Sequence, residues 1–229
     1  MRLLFGCGSG RSGTLSLSRL LQAQGAAISH EMAHYSPGGY PELAETLPWD
    51  GVDGPVLWEA LRRIETRDEL AQGRHADVGG DVAYFWLEYA PHLFGAHPDC
   101  RVICLERQRE PCIESLLAIQ ELRGHNSFSL TPSAEETPRR IASVPKFEGD
   151  REEATGRYWD WCHAQARLLE RAYPALFRIF QMEQVLNERT PQEKMLRWAG
   201  FEEPAVRMGM KRNTRHDIEE RRARKAAAP

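Results

Sequence analysis

The sequence lacks a run of about 18 apolar residues, the length that a membrane-spanning helix needs. Residues 1–7 lead straight into a short apolar segment, without the longer apolar core of a secretory signal peptide. Basic charge is not in excess either, because 30 Lys and Arg residues face 33 Asp and Glu residues and the formal net charge is −3. A dedicated nucleic-acid binder would carry a basic face. We therefore expect a cytoplasmic protein with no membrane span and no nucleic-acid partner.

The cysteines lack the spacing of a metal site or of a disulfide framework. They are odd in number and include no Cys-x-x-Cys pair, which favours reduced thiols. We expect them to fill the core, at Cys7, Cys100, Cys104, Cys112 and Cys162. With 229 residues, 41% of them hydrophobic, the chain can bury one substantial core. We assign residues 1–216 to a single domain and residues 217–229 to a charged C-terminal tail.

The clearest motif lies near the start of the chain. Apolar residues 3–5 lead into four glycines within residues 6–13, and leucines at helical spacing follow from Leu17. This change of period predicts a strand, a glycine-rich loop and a helix. Glycines let the backbone approach a ligand closely, and the N–H groups of such a loop and of the helix start bind anions. The segment therefore predicts a phosphate-binding loop.

This loop lacks the lysine of the nucleoside-triphosphate P-loop. The spacing of Gly8 and Gly13 fits that pattern, but Thr14 and Leu15 stand where Lys and Ser or Thr would follow. The cation comes earlier, as Arg11, whose planar guanidinium can hold two oxyanion oxygens without a recruited metal. We therefore expect no metal at this site.

Five consecutive residues of this loop carry a resemblance to a known family. Gly10-Arg11-Ser12-Gly13-Thr14 resembles the loop with which sulfotransferases bind the 5′-phosphosulfate of 3′-phosphoadenosine 5′-phosphosulfate (PAPS). That loop typically reads Arg or Lys, Ser, Gly and Thr after a first strand. The resemblance implies PAPS as the co-substrate, bound by these five residues. It also implies that Arg11 is catalytic, because it would stabilise charge on the transferring group. A tight turn that binds no ligand is the alternative.

A second matching segment begins with the apolar run 102–105, which predicts a strand buried on both faces of a parallel sheet. Pro111 suits the start of the next helix. In sulfotransferases, an arginine at this strand end and a serine eight residues later bind the 3′-phosphate, and Arg107 and Ser115 have that spacing. Many members read Arg-Asp-Pro here. This chain instead has a second arginine, Arg109, which competes for the role, and an arginine that only neutralises neighbouring acids is the alternative.

A candidate base follows a short strand predicted at residues 26–29. Open parallel sheets bind ligands at the carboxyl ends of their strands, so Glu31 comes to the side of the phosphate loop. Some sulfotransferases, the tyrosylprotein type especially, use a glutamate about this far from the loop as catalytic base, and Glu31 lies 17 residues after Thr14. The flanking His30 and His34 are alternatives, since cytosolic sulfotransferases use a histidine. The remaining alternative is that Glu31 is a solvated strand-end carboxylate without a catalytic role.

The remaining periodicity predicts the overall fold. We predict helices over 56–70, 83–94, 151–173 and 191–198, and strands over 76–81 and 175–180. The alternation indicates an α/β fold with a mostly parallel central sheet covered by helices on both faces. The resemblance implies the P-loop NTPase-like sulfotransferase fold. Asp81 precedes the second of these helices and is predicted to be its N-cap.

Two segments carry weaker predictions. Residues 124–151 are rich in Pro, Ser, Thr and Gly, and by elimination we place acceptor recognition there. Residues 211–215, Lys-Arg-Asn-Thr-Arg, fall where cytosolic sulfotransferases have a basic loop at the 3′-phosphate, but lack its Arg-Lys-Gly pattern.

The resemblance implies transfer of a sulfuryl group from PAPS to a hydroxyl or amine of a small-molecule or glycan acceptor. Two alternatives stay open. A P-loop small-molecule kinase would need the missing lysine and a Mg²⁺ ligand. A non-catalytic nucleotide-binding module would keep Arg11 and Arg107 and make Glu31 irrelevant.

Overall fold

The computed structural model describes residues 2–31, 77–131, 137–138 and 145–209. In chain order, the described strands and helices are β1 Arg2–Gly8, α1 Thr14–Gln22, β2 Ala27–His30, β3 Val78–Val82, α2 Trp86–Ala96, β4 Arg101–Glu106, α3 Arg109–Arg123, β5 His125–Asn126, β6 Thr137–Pro138, α4 Arg151–Ala172, β7 Phe177–Gln181, α5 Met182–Asn187 and α6 Arg189–Trp198. The helix predicted at 56–70, His34, the segment 211–215 and the tail at 217–229 lie outside the described residues.

Five strands form one parallel sheet in the order β2-β3-β1-β4-β7. This confirms the predicted α/β class with a parallel central sheet. The chain leaves β1 towards β2, whereas it leaves the neighbouring strand β4 towards β7. Neighbouring strands that continue in opposite directions create a crevice at their carboxyl ends, where open parallel sheets bind ligands. The phosphate loop follows β1 and Arg107 follows β4, so both lie at this crevice.

Alternate residues of β1 build two hydrophobic cores. Leu3, Phe5 and Cys7 face a core that includes buried side chains of α2 and α4. Leu4 faces a second core that includes side chains of α1, α5 and α6. Because a strand alternates its side chains between two faces, a continuous apolar run needs cover on both sides. All five cysteines are buried, free thiols, as predicted.

The predicted N-cap role of Asp81 is wrong. Helix α2 begins at Trp86, and its N-cap residue, Phe85, makes no side-chain capping bond. Asp81 is fully buried within β3. Its Oδ1 accepts from the Ser29 hydroxyl at 2.6 Å, and its Oδ2 accepts from Trp86 Nε1 at 2.7 Å. Ser29 is the register partner of Asp81 in β2, so the carboxylate joins two strands and the start of α2 instead of capping the helix.

Towards the C-terminus, capping residues in the sequence agree with the helix boundaries of the structure. Asp150 caps α4 by accepting from the Glu153 N–H at 2.9 Å. Helix α6 ends before Gly200, whose φ of 92° suits glycine. Helix α5 was not predicted, because β7 continues into it without an intervening Gly or Pro. Within the described part of the chain, no helix combines the length and the apolar character that crossing a membrane requires.

Candidate functional site

The phosphate loop joins β1 to α1 in a tight, strained turn. The N–H of Ser12 donates to the Ser9 carbonyl at 3.1 Å, and both side chains are fully buried. Gly13 has a φ of 91°, and Arg11 has a φ of 69°, in the left-handed region that non-glycine residues rarely adopt. Backbone strain of this kind is common at ligand-binding sites. The strained residue here is the predicted catalytic cation.

Gly8 allows the loop to fold back against β4. A Cβ atom at Gly8 would lie 2.4 Å from the Ser12 hydroxyl and 2.5 Å from the Leu105 carbonyl, so no larger residue fits. The Ser12 hydroxyl is buried and has no hydrogen-bond partner among the described residues. Buried polar groups are normally paired, so an unpaired hydroxyl inside an anion-binding loop is a candidate ligand contact.

Three side chains from the two matching segments meet beside this loop. Arg11 Nε donates to the Ser115 hydroxyl at 3.1 Å. Arg107 Nη1 donates to the Arg11 carbonyl at 3.0 Å. The Nε of Arg107 is buried and has no partner among the described residues. The structure thus brings Arg11, Arg107 and Ser115 together at the crevice between β1 and β4.

Arg109 is turned away from this group. Its guanidinium donates to both carboxylate oxygens of Asp160, each at 2.9 Å, and the side chain is 40% exposed. This pairing raises the pKa of Arg109 and lowers the pKa of Asp160. Of the two arginines that compete for the 3′-phosphate role, Arg107 therefore lies at the loop and Arg109 forms an ion pair near the surface.

Helices α3 and α4 hold the loop at Gly10. The Gly10 N–H donates to the Tyr158 hydroxyl at 3.2 Å, and the Cys112 thiol donates to the Gly10 carbonyl at 3.5 Å. The Tyr158 ring is stacked on Phe128, with centroids 4.0 Å apart and an interplanar angle of 7°. Burial raises the pKa of the Tyr158 hydroxyl, which keeps it protonated. The sequence analysis assigned Tyr158 no role at the site, and helical spacing holds no signal for this contact.

At the end of β2, the structure places a histidine against the loop. His30 Nε2 and the Thr14 hydroxyl lie 3.2 Å apart. Glu31 follows with a φ of 45°, and its N–H donates to the Val82 carbonyl at 3.0 Å. Its backbone is thus fixed at the carboxyl edge of the sheet, as predicted for a residue after β2. His30 thus contacts the phosphate loop through Thr14.

A contribution from helix α5 was also missed. Glu183 Oε1 accepts from the Gln108 N–H at 3.2 Å, just before α3. On the same helix, the side chain of Met182 lies against Gly13. A Cβ atom added to Gly13 would be 3.0 Å from the Met182 side chain. Helix α5 therefore packs against both segments that follow β1 and β4.

The side chains gathered at the site can form a cradle for an anion. It combines two arginines, the hydroxyls of Ser12, Thr14 and Ser115, and the N–H groups at the start of α1. In the described ranges, no group of three or more His, Cys, Asp and Glu side chains could hold a metal ion. Since the unpaired atoms, Ser12 Oγ and Arg107 Nε, are hydrogen-bond donors, they fit the oxygens of a phosphorylated ligand.

Comparison with known proteins places the fold. No protein-family model and no curated protein matches the chain. Among solved structures, a sulfotransferase from Alicyclobacillus acidocaldarius matches it with a TM-score of 0.53 and 15% sequence identity. The match covers 98% of this chain and 90% of that one. At this identity the likeness shows a shared fold, which is the sulfotransferase-like α/β fold with a parallel central sheet.

Proposed function

We propose that the protein is a sulfotransferase that moves a sulfuryl group from PAPS to a hydroxyl or amine of a small-molecule or glycan acceptor. The observation that supports this most strongly is the meeting of Arg11, Arg107 and Ser115 at the crevice between β1 and β4. The two segments that supply them are those that resemble sulfotransferase sequences. Their contact was not required by the fold class alone, since loops after neighbouring strands need not touch.

The two segments would bind the two ends of the donor. Gly10, Arg11, Ser12, Gly13 and Thr14 would hold the 5′-phosphosulfate through backbone N–H groups, hydroxyls and a guanidinium. Arg107 and Ser115 would hold the 3′-phosphate. Ser115 accepts from Arg11 Nε, so its own hydroxyl proton remains available to donate to a phosphate oxygen. PAPS fits the cradle because every unpaired buried group in it is a donor.

In the proposed reaction, Glu31 removes a proton from the acceptor and Arg11 stabilises the negative charge that develops on the leaving group. As the acceptor oxygen or nitrogen bonds to sulfur, the bond from sulfur to the bridging oxygen of the 5′-phosphate breaks. Glu31 takes the acceptor's proton. Arg11 and the loop N–H groups stabilise the negative charge that develops on the leaving adenosine 3′,5′-bisphosphate. No step needs a metal ion.

The contact of His30 supports this division of roles. Because His30 Nε2 lies 3.2 Å from the Thr14 hydroxyl, it faces a residue of the donor loop. A base must reach the acceptor's hydroxyl or amine proton, not the donor. We therefore assign the orientation of Thr14 to His30 and proton removal to Glu31. A cytoplasmic location is part of the proposal and agrees with the five free thiols.

Two measurements test the proposal. Calorimetry should show that adenosine 3′,5′-bisphosphate binds more tightly than ATP and that a chelator leaves its affinity unchanged. Transfer of radiolabel from sulfur-labelled PAPS to pooled hydroxylated and amine metabolites should then be lost in Arg11→Ala. ATP binding that disappears with the chelator would instead favour a kinase. Tight bisphosphate binding without any transfer would favour a non-catalytic module.

A further inference from the structure

An acidic side chain, Glu183, borders the crevice at which the phosphate loop and Arg107 meet. It belongs to the first turn of α5, the helix that directly follows β7, and β7 pairs with β4. Its Oε1 accepts from the Gln108 N–H at 3.2 Å, and Gln108 is the residue after Arg107. The roles assigned so far leave this carboxylate without a function at the site.

Glu183 and the two arginines of the cradle lie around the same buried thiol, that of Cys112. Burial raises the pKa of this thiol, and the hydrogen bond with Ser9 lowers it. Arg107 and Arg11 lower the pKa further, whereas Glu183 raises it. The thiol itself donates to a carbonyl of the phosphate loop at 3.5 Å. The Glu183 carboxylate therefore lies on the crevice side of α5, in the same electrostatic environment as the two guanidinium groups.

The carboxylate of Glu183 is not consumed by the protein. It forms no ion pair with Arg107, whose Nη1 donates to a loop carbonyl and whose Nε has no partner among the described residues. In the described part of the chain, the Gln108 N–H is the hydrogen-bond donor that the carboxylate accepts from, through one of its two oxygens. A carboxylate can accept several hydrogen bonds, but it repels a nearby phosphate. A ligand that binds here is thus favoured if it presents a donor next to its phosphate.

The nucleotide proposed for the site has such a donor. Adenosine 3′,5′-bisphosphate carries two neutral donor groups, the ribose 2′-hydroxyl and the adenine amino group. The 2′-hydroxyl is on the carbon beside the one that bears the 3′-phosphate, whereas the amino group is at the far edge of the base. Since Arg107 is assigned to the 3′-phosphate and Glu183 is bonded to the next residue, the 2′-hydroxyl is the nearer donor. Dinucleotide-binding proteins commonly recognise a ribose hydroxyl with an acidic side chain.

We propose that Glu183 accepts a hydrogen bond from the ribose 2′-hydroxyl of the donor nucleotide and thereby selects a ribonucleotide over a 2′-deoxyribonucleotide. This inference rests on the proposed function, because it takes the 3′-phosphate to be on Arg107. The phosphate then pairs with the guanidinium while the neighbouring hydroxyl donates to the carboxylate. Glu183 touches the nucleotide but not the reacting atoms, so it determines specificity and takes no proton.

Calorimetry of the full chain with adenosine 3′,5′-bisphosphate and its 2′-deoxy analogue tests the proposal. The wild type should bind the ribonucleotide at least about tenfold more tightly, because the analogue lacks a hydrogen bond to a charged group. Glu183→Gln keeps an acceptor for the Gln108 N–H but loses the charge. Its preference should fall to about threefold, since a neutral hydrogen bond is roughly half as strong. Glu183→Ala should bind the two ligands about equally.

The ratio of the two affinities is the readout, because a displaced α3 would weaken both ligands alike. Glu110→Ala is the matched control. It removes an exposed acid from the first turn of α3, which lies 3.9 Å from Arg109, and should keep the wild-type ratio. A thermal melt checks that each variant is folded.

The outcomes separate this inference from the proposed function. If adenosine 3′,5′-bisphosphate does not bind at all, both are overturned. If it binds the wild type no better than the 2′-deoxy analogue does, the inference alone is overturned. The same holds if either folded Glu183 variant keeps the wild-type preference, or if Glu110→Ala loses it to the same extent.

Discussion

The N–H of Gly10 donates to the hydroxyl of Tyr158 at 3.2 Å, across 148 positions of sequence. This bond joins helix α4 to the phosphate loop at the residue before Arg11. Because Tyr158 is stacked on Phe128, the same ring also connects the loop to the segment that follows β5. That segment is fixed in turn, since Asn126 Oδ1 accepts from the N–H groups of Phe128 and Ser129. The phosphate loop is therefore positioned by residues that lie far from it in sequence.

Tyr158→Phe should weaken donor-side binding without disturbing the stack on Phe128. The lost hydrogen bond is a neutral one, which contributes about 0.5 to 1.5 kcal/mol, so affinity should fall by about 2- to 13-fold. The loss should be equal for adenosine 3′,5′-bisphosphate and adenosine 5′-phosphate, because the loop is assigned to the 5′ end. Calorimetry with both ligands measures it. Tyr173→Phe, on a tyrosine beyond the end of α4, is the matched control. Unchanged or tighter binding would contradict the positioning role.

Arg107→Ala should separate the two ends of the donor. If Arg107 and Ser115 hold the 3′-phosphate, the variant loses a charge-assisted bond of roughly 1.5 to 3 kcal/mol to adenosine 3′,5′-bisphosphate. Binding of adenosine 5′-phosphate, which lacks that group, should hardly change. Arg109→Ala is the control, because Arg109 is occupied by Asp160. An equal loss for both ligands would show that Arg107 supports the loop instead, and a loss in Arg109→Ala alone would reverse the assignment.

The parts of the fold that sequence predicts are those with local causes. The step from β1 to α1 follows from glycine spacing and from a change in hydrophobic period within about 20 residues. Asp150 caps α4 through the N–H of a residue three positions later. Arg107 and Ser115 could be predicted as a pair because a motif fixes their spacing between the end of one strand and the following helix. The interactions that determine these features join residues that are close together in sequence.

What the sequence could not show depends on distant partners. Asp81 has the position of a helix cap, but its carboxylate is taken by Ser29, which lies 52 residues away. Tyr158 has ordinary helical spacing, and its hydroxyl gains a role only because α4 packs beside the loop. Whether Arg107 or Arg109 faces the loop was likewise decided by Asp160, on another helix. Tertiary contacts override local preference in each case.

The buried carboxyl group of Glu88 should make stability depend on pH. Its pKa is about 9 in the folded protein, compared with 4.5 for an ordinary glutamate. Between these values the folded state binds more protons than the unfolded state, so stability falls as pH rises. Glu88→Gln should remove this loss, and its stability advantage over the wild type should grow from pH 5 to pH 9. Urea unfolding at several pH values measures the difference. A constant difference between the two proteins would mean that Glu88 ionises normally.

The identity of the base turns on two adjacent residues, His30 and Glu31. The structure places His30 against Thr14 of the phosphate loop, and the proposed mechanism assigns proton removal to Glu31. Glu31→Gln preserves shape and removes basicity, and a positioned general base contributes about 10² to 10⁴-fold in rate, so kcat should fall by that order. Affinity for adenosine 3′,5′-bisphosphate should stay nearly intact. His30→Asn should do the reverse, weakening the bisphosphate more than it lowers kcat, because it disturbs Thr14.

The comparison needs both variants and His34→Asn under one assay, once an acceptor has been found by the radiolabel screen. The readout that separates the roles is the pH profile of kcat. Loss of a catalytic carboxylate removes the acidic limb of that profile, whereas a misplaced Thr14 hydroxyl leaves its shape unchanged. If His30→Asn or His34→Asn abolishes turnover while Glu31→Gln keeps most of it, the base is a histidine. Glu31 would then be a strand-end carboxylate without a part in the chemistry.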